Sequence, residues 1–292
     1  MSHIVRSIRT NMLDIAYEET GPTDGETIVL FHGWPDSVRT WDAVVPALAD
    51  AGYRCVAPFL RGFGGTRFLD SSARRSGQAT ALTQDVKDFV DALRLNRCVL
   101  VGHDWGAFAA YLFAANWPER VKRIVPLSVG YGINNPNNLP ALPQTRAFWY
   151  QWFFQTQQAT LALERDRRSF CQFIWQEWLA PGNFAQQQFD ATAPDWDNPD
   201  WVAITLHYYR HRWGNVLGDP QYDALEVSRL LPPLIRVPTR LIHGENDRCI
   251  LPATTEGKEA MFSGGYERLV LSNVGHFPQR EAPAAVIATI LD

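Results

Sequence analysis

Short apolar runs of four or five residues punctuate the chain at 27–31, 54–57, 98–101, 123–127, 239–243 and 268–271. Runs of this length, bounded by turn-forming residues, predict strands buried on both faces, and therefore a parallel sheet. Between them, apolar positions recur at helical spacing over 41–51, 82–93 and 107–116. Strand–helix alternation of this kind defines an α/β fold. Ahead of it, 5–9 and 12–18 predict an antiparallel hairpin turning at Thr10 and Asn11. The alternation stops near Tyr131, where INNPNNLPALPQ reads as a linker. From about 145 to 231 the patterns are helical, and strand patterns resume after LLPPLIRVP. This divides the chain into a first core part at 1–132, an inserted all-helical cap at 133–231, and a second core part at 232–292. There is no internal repeat.

Composition sharpens this picture in three places. The chain has 292 residues, 46% hydrophobic and 20% charged, which excludes a disordered, collagenous or coiled-coil protein. Its net charge of −4 comes without any basic block, so no nucleic-acid partner is expected. No apolar run reaches the length of a membrane span or a signal-peptide core, and no membrane partner is expected. The four cysteines, Cys55, Cys98, Cys171 and Cys249, lie far apart without a CxxC pair. That pattern predicts a reduced, cytoplasmic protein with no disulfide framework and no metal site. His207 and His211 are four apart but lack a third ligand. The expected assembly is a monomer or homodimer.

The chemistry concentrates after the strands. Residues 99–106 read VLVGHDWG: a buried strand runs into Gly102-His103-Asp104-Trp105-Gly106, and a helical pattern follows. This is the G-x-nucleophile-x-G elbow in its strand–turn–helix context. Its central residue is Asp104. A serine there needs a base to deprotonate it, whereas a carboxylate is already ionised at neutral pH. A carboxylate is suited to displacing a leaving group at sp³ carbon and forming an alkyl ester, which water must then cleave. After the strand at 27–31 comes His32-Gly33-Trp34-Pro35. Its Trp34 N–H, with the Trp105 N–H, can stabilise an oxyanion, and a Trp–Pro bond can be cis. His276, in NVGHFPQ, follows the last strand pattern and is the candidate base. Asp247, in HGENDRCI, follows the strand before it and is the candidate partner. The order Asp104, Asp247, His276 is nucleophile, acid, base, all at C-terminal strand ends, where open α/β sheets place their sites.

Together these motifs resemble the α/β-hydrolase superfamily. HGWP, GHDWG and the late GHF look most like soluble epoxide hydrolases and their dehalogenase relatives. The resemblance covers the whole chain, strongly in the core and loosely in the cap. It implies an eight-stranded, mostly parallel sheet flanked by helices, a helical cap over the strand ends, Asp104 as nucleophile and no cofactor. Epoxide hydrolases supply two cap tyrosines that protonate the leaving alkoxide. FWYQWFFQ puts Tyr150 where the first is expected, and HYYRHRW offers Tyr208 or Tyr209, of which Tyr209, before Arg210, matches better. Haloalkane dehalogenases typically carry Asn in place of Trp34, and some place the acid after the strand at 123–127, where this chain has Ser128-Val129-Gly130. Fluoroacetate-type dehalogenases carry arginines where Trp105 and Phe108 stand. The loop APFLRGFGGT departs from the family's APDxRGxGxS, with Phe59 replacing Asp, and a structural consequence is expected.

The expected reaction is hydrolysis of an epoxide to a vicinal diol, through an Asp104 ester cleaved by water that His276 activates. Three rivals remain. A dehalogenase would use the same three residues, with Trp105 and cap donors such as Trp149, Trp152 or His207 holding the halide. A non-catalytic scaffold would bind a small ligand, but has no need of an intact nucleophile, acid and base. An ordinary esterase is disfavoured by Asp at the elbow. Residues 133–231 hold 18 of the chain's 36 aromatic residues. They predict an aromatic pocket over Asp104 for a small apolar substrate, with Trp149, Trp152 and Phe108 among its contacts.

Overall fold

The structure, a computed structural model, describes residues 4–133, 135 and 137–292. Asn134 and Pro136, within the Pro- and Asn-rich linker, lie outside the described residues, as do the first three residues. The strands are β1 (Val5–Arg9), β2 (Leu13–Thr20), β3 (Thr27–Phe31), β4 (Arg54–Pro58), β5 (Arg67–Phe68), β6 (Cys98–His103), β7 (Val121–Leu127), β8 (Thr239–Gly244) and β9 (Tyr266–Leu271). Eight of them run in the order β1-β2-β4-β3-β6-β7-β8-β9, and the two-residue β5 pairs with β2 beside that path. The hairpin β1–β2 and the β2–β4 pair are antiparallel. From β4 to β9 every pairing is parallel. Strand β6 is buried along its whole length, as a central strand covered on both faces must be.

Helices α1 (Val45–Asp50), α2 (Ala79–Ala92) and α3 (Trp105–Asn116) belong to the first core part. Between β7 and β8 lies the helical insertion: α4 (Leu142–Ala147), α5 (Trp149–Phe153), α6 (Gln157–Trp178), α7 (Gln186–Thr192), α8 (Trp201–Arg212) and α9 (Asp223–Leu230). Helices α10 (Pro278–Glu281) and α11 (Pro283–Leu291) close the chain. The helix expected over 41–51 is instead a 3₁₀ turn at Val38–Trp41 followed by α1. Pro46 explains the break: lacking an N–H, it sits in the first turn of a helix and does not continue one from upstream.

Phe59, which stands where the resembling family has Asp, packs against Gly64. Its buried ring lies where a Cβ on Gly64 would fall 2.3 Å from Phe59 Cδ1, so a ring replaces a carboxylate by packing on a bare backbone. All four cysteines are buried and free. No helix among the described residues is long and apolar enough to cross a membrane, and none of their His, Cys, Asp and Glu side chains group as a metal site.

Candidate active site

Strands β3 and β6 are neighbours, with Phe31 opposite Gly102, so the loops leaving them meet. Asp104 sits between β6 and α3 with φ 48° and ψ −113°, a conformation a non-glycine residue adopts only when its surroundings enforce it. Those surroundings admit no side chain at two positions. A Cβ on Gly106 would lie 2.4 Å from the Phe31 carbonyl oxygen, and one on Gly33 2.4 Å from Asp104 Cβ. The Trp34 N–H donates to Asp104 Oδ1 at 2.9 Å, and the Trp105 N–H also bonds this carboxyl. The Trp34–Pro35 peptide bond is cis.

Asp104 Oδ2 lies 3.9 Å from His276 Nε2. On its other side, His276 Nδ1 is 2.8 Å from Asp247 Oδ2. Asp247 Oδ1 accepts from the Cys249 and Ile250 N–H groups at 2.8 and 2.9 Å, and Oδ2 also lies 3.1 Å from His243 Nε2. The backbone of His276 is held as firmly as its ring. Its carbonyl accepts from the Ser128 hydroxyl at 2.9 Å and meets His103 Nε2 at 2.8 Å, and its N–H donates to Trp178 O at 2.9 Å. Asp104, Asp247 and His276 are all buried.

Burial sets much of the electrostatics. It raises the pKa of Asp104; His276 and the two N–H groups pull it back, but it stays above the usual carboxylate value. Burial opposes charging of His276, yet Asp247 outweighs it and the imidazole stands well above its usual value. Burial would raise Asp247, but His276 and His243 hold it well below the usual carboxylate range.

The helical insertion delivers the tyrosines. The Tyr150 ring, on α5, stacks on the Trp34 indole at 5.6 Å, and Tyr209, on α8, meets the same indole edge-on at 5.5 Å. The two phenol rings are 5.3 Å apart. In each, a nitrogen donor occupies a lone pair: Gln151 Nε2 donates to Tyr150 Oη at 2.7 Å, and Trp105 Nε1 to Tyr209 Oη at 3.2 Å. Both phenols are raised well above their usual pKa, first by burial and also by Asp104, so both keep their protons. Tyr208 stacks on the outer side, 4.1 Å from the Trp105 ring.

Trp149 and Trp152 are not gathered with Asp104. They flank Tyr150 on α5, and turning Tyr150 inward turns them elsewhere. Trp149 Nε1 donates to Glu177 at 3.0 Å and Trp152 Nε1 to Thr145 O at 2.8 Å, with the Trp152 ring on Trp213. His207 Nδ1 accepts from the Gly77 N–H at 3.1 Å. Phe108 is buried on α3 with Arg212 over its ring. Several supporting residues escaped the sequence reading. Gln151 accepts from Trp213 Nε1 at 3.0 Å through Oε1, which turns its NH₂ toward Tyr150. Cys249 lies 3.5 Å from Tyr150 Oη and against His276, its thiol pushed up to about 11 by burial. Only Cys249 carried a signal, two positions after the acid.

Comparison with known proteins agrees with the fold. Residues 26–283 match the model of the alpha/beta hydrolase fold. The chain belongs to the α/β-hydrolase family. Within that family it is epoxide-hydrolase-like, through relatives that match along its length. It is 30% identical to an epoxide hydrolase of Caballeronia sordidicola, covering 96% of this chain and 90% of that protein. It is 27% identical to epoxide hydrolase A of Mycobacterium tuberculosis, covering 98% and 96%. A crystal structure from Klebsiella pneumoniae, provisionally called an epoxide hydrolase, superposes with a TM-score of 0.93 at 38% identity, covering 99% of this chain and 96% of that one.

Proposed function

We propose that the chain opens a small apolar epoxide to a vicinal diol, with Asp104 as nucleophile, His276 as base, Asp247 as its partner and residues 133–231 acting as the cap. The observation that carries this reading is the pair of phenols over Asp104. Each accepts a hydrogen bond from a nitrogen donor, which leaves its own O–H to donate. Two O–H donors suit a basic alkoxide leaving group. A halide is weakly basic and gains nothing from a proton donor; of the N–H donors expected to hold one, Trp149 and Trp152 are engaged elsewhere and Trp105 Nε1 is spent on Tyr209.

The asymmetry of the Asp104 carboxyl fits two steps. Oδ1 faces the Trp34 N–H, while Oδ2 faces His276. Oδ2 attacks the less hindered ring carbon, the C–O bond of the epoxide breaks, and Tyr150 and Tyr209 give the alkoxide its proton. Oδ1 is then the ester carbonyl, already facing the Trp34 N–H. Alkylation also removes the negative charge beside His276, which lowers its affinity for a proton and favours the neutral imidazole. Nε2 takes a proton from water, the hydroxide adds to the ester carbonyl carbon, and the two N–H groups hold the oxyanion. The bond from the carbonyl carbon to Oδ2 then breaks, His276 returns its proton to the departing diol oxygen, and the second water proton passes from the carboxyl to the tyrosinate, which restores Asp104 and the phenols.

A single turnover of unlabelled enzyme in heavy-oxygen water tests the route. The label is expected in Asp104 and not in the diol. Label in the diol on that first turnover means that water attacked the epoxide directly, and ends the ester reading.

A further inference from the structure

Three buried polar atoms beside the phenols have no hydrogen-bond partner: Trp34 Nε1, Trp201 Nε1 and Thr205 Oγ1. All three residues are completely buried, where an unsatisfied donor costs free energy. They are also neighbours. Trp201, Thr205 and Tyr209 are spaced by four on α8 and share one face of it. Both ends of that stripe rest on Trp34, with Trp201 stacked at 6.2 Å and Tyr209 edge-on at 5.5 Å. Thr205 lies between them on the same side. Two indole N–H donors and one hydroxyl, none with a partner, are therefore carried by residues packed together at the flank of the site, next to the Tyr209 phenol.

We propose that this flank is a polar subsite that receives a neutral acceptor oxygen, an ether, hydroxyl or carbonyl, on a short side arm of the substrate. The inference rests on the epoxide reading for the reacting end and adds a substrate class to it. The donors are uncharged, and Asp104 nearby would repel a carboxylate, so the matching group is a neutral oxygen.

Glycidyl methyl ether and epoxypentane have the same size and shape and differ by one oxygen for one methylene. The readout is the ratio of their kcat/KM values in the native protein, Thr205→Val and Trp201→Phe. A ratio cannot be moved by general damage to the fold. One neutral hydrogen bond corresponds to a preference of about three- to tenfold. The native protein is expected to favour the ether by that amount and each variant to lose most of it. Equal ratios in all three proteins would mean that the flank holds ordered water only, and would overturn the subsite while leaving epoxide hydrolysis standing. Binding of the matched diols by calorimetry separates the two ideas. A diol preference lost in Thr205→Val, in a protein that hydrolyses neither epoxide, keeps the subsite and removes the epoxide reading. No preference among the diols and no turnover removes both.

Discussion

At the scale of single residues, the proposed route asks two phenols for a proton that a halide leaving group would not need. Tyr150→Phe and Tyr209→Phe are each expected to slow ester formation about ten- to a hundredfold, and the double variant about a hundred- to ten-thousandfold, the range of general acid catalysis. Single-turnover kinetics that follow the alkylated protein by mass would measure this; unchanged ester formation in the double variant would remove the tyrosines from the chemistry. The Asp104 carboxyl carries a second prediction. As the proposed nucleophile it can attack only when ionised, and its pKa is raised, chiefly by burial. Ester formation is therefore expected to fail on the acid side at a higher pH than an ordinary aspartate would allow. A pre-steady-state pH profile reads this directly, and an acid limb at or below the usual aspartate value would contradict it.

At the scale of elements, the loops after the strands hold one another. Asp36, just past the Trp34 loop, pairs with Arg280 on α10, just past His276, at 2.5 Å, with both side chains almost wholly buried. Arg280 also donates to Thr192 of α7 at 3.0 Å and lies 4.5 Å over the Trp175 ring of α6. One guanidinium thus ties the loop after β3, the loop after β9 and the helical insertion together. Replacing Arg280 by Met strands a buried carboxylate and is expected to destabilise by about 3–5 kcal/mol, measured as a lower urea midpoint at unchanged slope. The core of this arrangement was legible in the sequence because a strand, a glycine-framed turn and a chemically distinctive residue coincide at Asp104, Asp247 and His276. The supports were not. Gln151, Ser128, His103 and Arg280 act through long-range backbone geometry that no local pattern encodes. Trp149 and Trp152 illustrate the same limit: on a five-residue helix crowded with rings, spacing alone does not say which ring faces Asp104.

At the scale of the whole molecule, the helical insertion packs on the core, and one titratable group lies at that junction. Asp195, between α7 and α8, has its pKa pushed up to about 6 by burial, against opposing pulls from Ser37 and Arg39 of the core and with Glu18 and Asp36 adding repulsion. The Gly64 N–H donates to its backbone carbonyl at 2.8 Å, so the side chain cannot retreat without disturbing the contact. A carboxyl with a raised folded pKa binds its proton more tightly in the native than in the unfolded chain. Its contribution to stability is therefore present below the ordinary carboxylate pKa and is lost as the pH rises through about 6. Asp195→Asn, which keeps the shape and removes the titration, is expected to leave stability near pH 4 almost unchanged and to raise it by about 1–2 kcal/mol at pH 7, a figure discounted for partial exposure. Paired urea melts at the two pH values measure the difference. An equal effect at both would place the cause in lost hydrogen bonding, and a loss of stability at pH 7 would mean that Ser37 and Arg39 hold the ionised carboxylate more strongly than burial opposes it.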